Sequence, residues 1–200
     1  HLKQMTAHRA DDDGGRAYYT ALMATCSAMM QSIVTSPKPF IAAVHAPAVA
    51  AGCQLAASCD MAVASETAQF GTTGINNGLF CSTPMVALSR KVGRVQALEL
   101  LMLGGLATAA EARDMGLVNR VVPAAELMTT AIGMARIVAS KSPAAIAMGK
   151  RAFYAQAELP LGAAYAVGAE ALVENMMHCD AVEGIGAFID KRKPSWDADR

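Results

Sequence analysis

The stretch KPFIAAVHAPAVAAGCQLAASCDMAVASETAQFG, residues Lys38–Gly71, decides the fold. Its run Pro39–Val44 is short, apolar and set off by prolines, which predicts a buried strand. The runs 60–64 and 68–70 predict two further short strands. Between the first and second strands lies the small-residue run 45–60, whose second half predicts a helix. Short strands that alternate with a helix indicate a mixed α/β core.

The pattern changes at Pro123. Before it, the capping box Thr108-Ala-Ala-Glu111 predicts a short helix that ends at Gly116, followed by a strand over 117–122. After it, no strand pattern remains and apolar residues recur at helical spacing. We therefore predict a mixed α/β core over residues 1–122 and a helical region over 123–200.

Loop chemistry lies between these motifs. The segment 71–83 holds three glycines and two adjacent asparagines, which indicates a loop. Pro84 suits the first position of a helix capped by Thr83. The sequence therefore predicts that a helix starts at Pro84.

Composition excludes several classes of function. The 17 basic and 17 acidic residues balance, so nothing indicates a nucleic-acid or anionic-membrane partner. No apolar run approaches the roughly 18 residues of a membrane span. The five cysteines are scattered without a CxxC pair, which favours reduced, buried thiols and no metal site. The 54% hydrophobic content indicates a sizeable core and surface hidden against further copies of the chain.

The small-residue run around Gly52 has a functional interpretation and a structural one. A glycine turn between a strand and a helix leaves backbone N–H groups unpaired at the positive end of the helix dipole, where they can hold an anionic oxygen. Close helix–strand packing explains the same composition. Neither a GxGxxG nor a GxxxxGK[ST] pattern is present, so no dinucleotide or P-loop site is predicted.

Three separated motifs resemble one family. The stretch quoted above, TAAEARDMGLVNRVVP over 108–123 and EGIGAFIDKRKPSW over 183–196 follow in the order and spacing of the enoyl-CoA hydratase/isomerase (crotonase) superfamily. The resemblance covers essentially the whole chain. The family's first strands and helix are expected before His1, together with the first amide of its oxyanion hole.

The resemblance implies a ClpP/crotonase-type ββα spiral core with a C-terminal helical oligomerisation region, assembled as trimers or dimers of trimers. It implies an acyl-CoA or enoyl-CoA ligand as substrate, with no other cofactor and no metal. The Ala51 N–H is expected to donate to the thioester oxygen and stabilise an enolate. The compartment is expected to be the cytoplasm of a bacterium or the mitochondrial matrix of a eukaryote.

The same resemblance assigns substrate contacts. Leu2 and Lys3 match positions that contact the CoA adenine and its phosphates. Phe188 and Lys191 match last-helix positions that reach CoA, often from a neighbouring subunit. For Lys3 and Lys191, an ordinary solvated charge is an equal alternative. The remaining positions expected to contact substrate are His1, Ala50 and Thr73.

Two departures concern catalysis. Hydratases of the family use two glutamates, and the matching positions here are Gln54 and Gly74. Some isomerases carry an alternative acid at the position of Ser82. An amide does not exchange a proton near neutral pH and glycine has no side chain, so we expect weak or altered hydration.

Three hypotheses therefore stay open. The first is an enolate-stabilising enzyme with atypical residues. The second is a non-catalytic acyl-CoA binder or regulatory subunit. The third is a thioester hydrolase with Cys81 or Ser82 as nucleophile, which needs a base nearby, and only His45 lies close in sequence. For Asp60, a structural hydrogen-bonding role is favoured over a catalytic one.

Overall fold

The structure is a computed structural model and describes residues 2–196. Its helices are α1 (Leu2–Ala7), α2 (Arg16–Thr35), α3 (Ala51–Ser58), α4 (Ser82–Leu88), α5 (Arg94–Leu103), α6 (Ala109–Asp114), α7 (Leu127–Ala139), α8 (Pro143–Gln156), α9 (Leu161–Met176) and α10 (Cys179–Ile189). Its strands are β1 (Ile41–Val44), β2 (Ala48–Val49), β3 (Met61–Ser65), β4 (Gln69–Gly71), β5 (Leu106–Thr108) and β6 (Arg120–Val122). Short 3₁₀ turns cover His8–Ala10, Thr73–Asn77 and Ala124–Glu126.

The strands form two small sheets. In the first, β1, β3 and β6 run parallel, with Ala42 opposite Ala62. In the second, β2 pairs parallel to β4, which pairs antiparallel to β5. Consecutive strands such as β1 and β2 thus enter different sheets, and helix α3 follows the pair. This repeat of two strands and a helix is the predicted ββα spiral.

The main core lies between these sheets and the helices that follow them. Phe70, Leu88, Leu101 and Leu117 are fully buried there. Around them, alanines of α3, β3 and α6 and the Cys53 side chain of α3 pack where helix and sheet lie closest together. Small side chains allow this close approach, so the structural interpretation of the small-residue run also holds.

Most elements predicted from the sequence are confirmed. The strands of Lys38–Gly71 and helix α3 form as expected, and Thr108 and Glu111 make both hydrogen bonds of the capping box. The prediction for Pro84 is wrong. Helix α4 begins at Ser82, so Pro84 is its third residue and Thr83 is not its cap. Proline is tolerated there because the first-turn N–H groups have no helical acceptor.

The C-terminal residues form helices throughout the part that the structure describes. Leu127 and Ala131 of α7 pack on Val63 of β3 and form a second, smaller core. Helices α8 and α9 pack on each other but contain no fully buried residue in the described range. None of the helices in residues 2–196 combines the length and apolar character that a membrane crossing needs.

Candidate active site

The junction between β2 and α3 carries backbone strain. Val49 pairs with Gly71, and the Ala50 N–H donates to the Gly71 carbonyl at 2.9 Å. Ala50 has φ 50° and ψ −111°, a conformation that favours glycine. The positive φ falls one residue before Ala51, whose N–H is the expected donor. The strain turns the chain sharply from the strand into the helix.

This turn leaves the first amides of α3 exposed. Ala51 is the first residue of the helix, and both Ala51 and Gly52 are exposed to solvent. Within residues 2–196, no acceptor pairs with the Ala51 N–H. An unpaired N–H at a helix start lies at the positive end of the helix dipole. The arrangement can therefore hold an oxygen on which negative charge develops.

Gln54 lies one turn along the same helix and is 4% exposed. Its Oε1 accepts from the Cys26 thiol of α2 at an S···O distance of 3.8 Å. Its backbone N–H donates to the Ala50 carbonyl, which ties this residue to the strained turn. A neutral amide meets this burial without the desolvation cost of a carboxylate. Cys26 and Gln54 lie 28 residues apart in sequence, and the packing of α2 on α3 brings them together.

Cys53 is chemically inert in this setting. Burial raises the pKa of its thiol to about 11, against the opposing effect of a hydrogen bond from the Gly71 backbone. The thiol is therefore protonated at neutral pH, whereas the nucleophilic form of cysteine is the thiolate.

Gly74 lies where no side chain fits. A Cβ built on it would lie 2.6 Å from the Leu79 carbonyl oxygen and 2.8 Å from the Cys81 sulfur. The Leu79 N–H also donates to the Gly74 carbonyl at 3.0 Å, which closes the loop on itself. Asn76 anchors the loop to the Gly104 carbonyl at 3.0 Å. The loop therefore has no glutamate at this position and has no space for a glutamate side chain.

Within residues 2–196, no hydrogen bond joins Cys81 or Ser82 to a basic side chain. Cys81 is buried against Gly74, and the Ser82 hydroxyl donates to the Phe80 carbonyl at 3.3 Å. His45 is exposed between β1 and β2, and no hydrogen bond joins it to either residue within residues 2–196. The geometry thus supplies neither the general base nor the group that orients this base, both of which a nucleophile needs.

The remaining predicted contacts lie at the surface or outside the description. Leu2 and Lys3 are exposed on α1, and Phe188 is 84% exposed near the end of α10. Lys191 follows that helix with φ 56°. Within the described range, no hydrogen bond or ion pair links these side chains to α3. Thr73 starts the 3₁₀ turn beside Gly74, and His1 lies outside the described residues.

The far end of α3 is held by a buried polar cluster. The Asp60 carboxylate accepts from the Phe40 N–H at 2.7 Å, from Lys150 Nζ at 2.8 Å and from the Tyr154 hydroxyl at 3.0 Å. The side chains of Lys150 and Asp60 are only 7% and 15% exposed. The structural role predicted for Asp60 is confirmed, but its partners on α8 were not foreseen.

Lys91 adds a second cation to this cluster, and Asp60, Lys91, Lys150 and Tyr154 together are called the clamp below. Its Nζ donates to the Cys59 carbonyl at 2.6 Å and to the Asp60 carbonyl at 3.1 Å. Burial lowers the pKa of Lys91, although the negative charge of Asp60 opposes that shift. A cation at the carboxyl end of a helix complements the helix dipole. Helix α3 is thus fixed at its C-terminal end, while Ala51 and Gly52 at its N-terminal end are exposed.

Comparison with known proteins agrees with this geometry. The sequence model of the enoyl-CoA hydratase/isomerase family matches residues 7–199. The chain belongs to the enoyl-CoA hydratase/isomerase family, within the crotonase superfamily. Its fold is shared with the crystal structure of an enoyl-CoA hydratase from Mycobacterium smegmatis. That structure is 48% identical, with a TM-score of 0.92 over 98% of this chain and 74% of the other.

Named relatives in the family are longer than this chain. The human enoyl-CoA hydratase domain-containing protein 3, mitochondrial, is 47% identical over 195 residues, which are 98% of this chain and 63% of the relative. A putative enoyl-CoA hydratase of Thermus thermophilus is 36% identical over 83% of this chain and 66% of its own length. The chain therefore spans less than two thirds of these relatives. The human relative's name places it in mitochondria, whereas the bacterial name gives no compartment.

Proposed function

We propose that this protein binds acyl-CoA thioesters and stabilises a thioester enolate through the Ala51 N–H. The observation that carries this proposal is the amide of the exposed residue Ala51, which has no acceptor within residues 2–196 and follows the strained turn at Ala50. Charge develops on the thioester oxygen as the enolate forms. A preorganised N–H at the positive end of a helix dipole lowers the free energy of that state.

Hydration is expected to be weak. Positioned acid–base groups typically contribute about 10²–10⁴-fold in rate. Gln54 has no proton to exchange near neutral pH, and Gly74 has neither a side chain nor room for one. The site can polarise a thioester but lacks the groups that activate water in a two-glutamate hydratase.

The first test follows the thioester carbonyl itself. The full-length protein is mixed with butyryl-CoA labelled with carbon-13 at the carbonyl, and the carbonyl resonance is recorded. We expect a downfield shift on binding that is lost when an ester oxygen replaces the backbone N–H of Ala51, because this replacement removes the donor and keeps the side chain. Circular dichroism checks that the variant is folded. A bound carbonyl with an unshifted resonance would contradict the proposal.

The second test is turnover. Hydration of a short enoyl-CoA, followed by loss of the conjugated thioester absorbance, should be orders of magnitude below that of a two-glutamate hydratase measured in parallel. Comparable turnover would contradict the proposed weakness of hydration.

A non-catalytic acyl-CoA binder is the second candidate function. The closed Gly74 loop favours it, because the space for a second acid is filled by the Leu79 backbone and the Cys81 sulfur. This candidate predicts calorimetric binding of acyl-CoA without turnover in hydration, isomerisation, thioester hydrolysis or decarboxylation assays. Turnover in any of these assays would exclude it.

We further propose that the chain assembles as a homotrimer or a dimer of trimers. Helices α8 and α9 have no fully buried residue in the described range, and large apolar side chains remain exposed on them. Such patches are typical of protein interfaces. Light scattering after size exclusion should give three or six times the subunit mass, and a monomer would contradict the proposal. The exposed side chains are Phe153, Leu161, Tyr165, Leu172, Val173 and Met176.

A further inference from the structure

Three consecutive residues at the start of α10 bring together metal-ligating atoms of three kinds. His178 precedes the helix, and Cys179 and Asp180 are its first two residues. One ligand atom from each of these side chains lies within 4.8 Å of the other two. Imidazole, thiolate and carboxylate are the ligands that zinc uses in proteins. The absence of a CxxC pair, which argued against a metal site, does not exclude a mixed set of ligands such as this one.

The imidazole of His178 is held with a lone pair directed at the first turn of α10. Its Nδ1 accepts a hydrogen bond from the Asp180 N–H at 3.1 Å, so the proton of the neutral ring is on Nε2. The distance from Nδ1 to the Cys179 sulfur is 3.7 Å. Two ligands of a tetrahedral zinc, with Zn–N and Zn–S bonds of about 2.0 and 2.3 Å, lie about 3.5 Å apart. The nitrogen and the sulfur therefore have nearly the spacing of two ligands of one ion.

Asp180 is a buried carboxylate without a cation in the part of the chain that the structure describes. The residue is 8% exposed, and Ser142 at the start of α8 donates its hydroxyl to Oδ2 at 2.5 Å. Within residues 2–196, no ion pair neutralises this carboxylate. The positive end of the α10 dipole compensates part of its charge. A buried carboxylate is nevertheless costly unless it is paired or coordinates a metal, so a bound cation would stabilise it.

We propose that His178, Cys179 and Asp180 bind one Zn²⁺ ion, with water as the fourth ligand. The ion replaces the Asp180 N–H at His178 Nδ1, and the Cys179 thiol releases its proton to solvent as the thiolate binds. Thiolate and carboxylate together cancel the double charge of the ion, so the filled site is neutral beside the positive end of the helix dipole. Because Ser142 holds the Asp180 carboxylate, the ion fixes the start of α10 against the start of α8.

The first test is a titration of the full-length protein with Co²⁺ after a chelator has removed bound metal. A thiolate bound to Co²⁺ gives a charge-transfer absorption in the near ultraviolet. Wild type should bind one Co²⁺ per chain with this absorption, and Zn²⁺ should displace it. Cys179→Ser should lose the absorption, whereas Cys26→Ser, which changes a half-buried thiol of α2, should keep it. No absorption in wild type, or its survival in Cys179→Ser, would overturn the proposal.

The second test measures Zn²⁺ affinity by competition with a colorimetric chelator, and separates a site of three ligands from a single thiol. His178→Asn and Asp180→Asn should each weaken binding by more than about 100-fold, the largest effect typical of a group that only orients a ligand. Asparagine is a preferred helix cap, so His178→Asn removes the imidazole and keeps a capping side chain. His45→Asn makes the same change at an exposed histidine and should keep the wild-type affinity. Wild-type affinity in both His178→Asn and Asp180→Asn would show that the thiol binds alone, and would overturn the site.

The third test concerns the link between the two helices. Zn²⁺ should raise the thermal unfolding midpoint of wild type but not that of Cys179→Ser, because a ligand that binds the native chain stabilises it. Ser142→Ala should weaken Zn²⁺ binding about ten-fold, since the hydroxyl orients the Asp180 carboxylate. Unfolding without metal measures its separate effect on α8, and an unchanged Zn²⁺ affinity would overturn the link through Ser142. None of these outcomes depends on the proposed binding of thioesters.

Discussion

Leu88 and Leu117 are fully buried in the core that ends at β6, while Leu161 and Leu172 of α9 remain 74% and 61% exposed. The same residue type thus meets opposite environments in the two parts of the chain. The core closes on itself because its strands enter two sheets that share one set of helices. The helical region contacts the core at α7, through Lys150 and Tyr154 of α8, and through the ion pair between Arg90 and Glu158. It leaves large apolar side chains exposed on α9. Single substitutions can test these contacts between the two regions one at a time.

The largest effect is expected at the buried ion pair between Lys150 and Asp60, which joins the two regions. Lys150→Met leaves the Asp60 carboxylate buried without its cation and should lower the free energy of unfolding by about 3–5 kcal/mol. Urea denaturation at fixed protein concentration measures the loss. Arg151→Met is the matched control, because its pair with Glu174 is exposed and such pairs contribute about 0–1 kcal/mol. Equal losses in the two variants would show that the clamp does not hold the regions together.

The next largest effects are expected from glycine-to-alanine substitutions, which should have opposite signs in the two regions. Gly74→Ala forces a Cβ against the Leu79 backbone and should destabilise the protein by about 1–3 kcal/mol. Gly149→Ala lies in α8 with no atom within 4 Å of the new Cβ, and should stabilise it by about 0.4–1 kcal/mol. Thermal unfolding gives both signs. A neutral Gly74→Ala would show that the loop opens readily.

The lack of space at Gly74 also predicts the result of restoring the two glutamates of a hydratase. Gln54→Glu combined with Gly74→Glu should give no gain in hydration, because the second glutamate displaces the loop that carries it. A clear gain in the enoyl-CoA assay would show that the closed loop rearranges, and would contradict the steric explanation for weak hydration.

Positive φ angles offer a smaller contrast. Ala50 has φ 50° with ψ −111° at the candidate site, and Lys191 has φ 56° after α10. Backbone strain of this kind costs on the order of 1–3 kcal/mol. A substitution by glycine relieves the strain, but the greater conformational entropy of glycine in the unfolded chain cancels part of the gain. Ala50→Gly should raise the free energy of unfolding by about 1 kcal/mol, and Lys191→Gly by less. The reverse order in urea midpoints would place the greater strain outside the site.

The smallest effect concerns pH, since Tyr154 is partly exposed. Burial, and then its hydrogen bond to Asp60, raise the pKa of Tyr154 to about 12, against about 10 in an unfolded chain. Between these pH values the native state keeps a proton that the unfolded state loses. The contribution of Tyr154 is therefore complete below about pH 10 and lost as the pH approaches 12. Wild type should lose more stability than Tyr154→Phe over this window, and parallel curves would contradict the assignment.

Several features of the fold were predictable because they depend on neighbours in sequence. The apolar run Pro39–Val44 gives β1, and the Thr108–Glu111 spacing gives a capping box. Pairing with distant segments was not predictable. Strands β2 and β5 are only 2 and 3 residues long and form through pairing with β4.

The candidate site divides in the same way. The sequence by itself determined the family, the small residues around Ala51, and the absence of carboxylates at Gln54 and Gly74, because these are properties of residue identity and spacing. Only the tertiary structure decided that the strain lies at Ala50, that the Leu79 backbone fills the space beside Gly74, and that the Cys26 thiol lies against the Gln54 amide. Each of these depends on which distant atoms share a few ångströms of space, and that is set by packing.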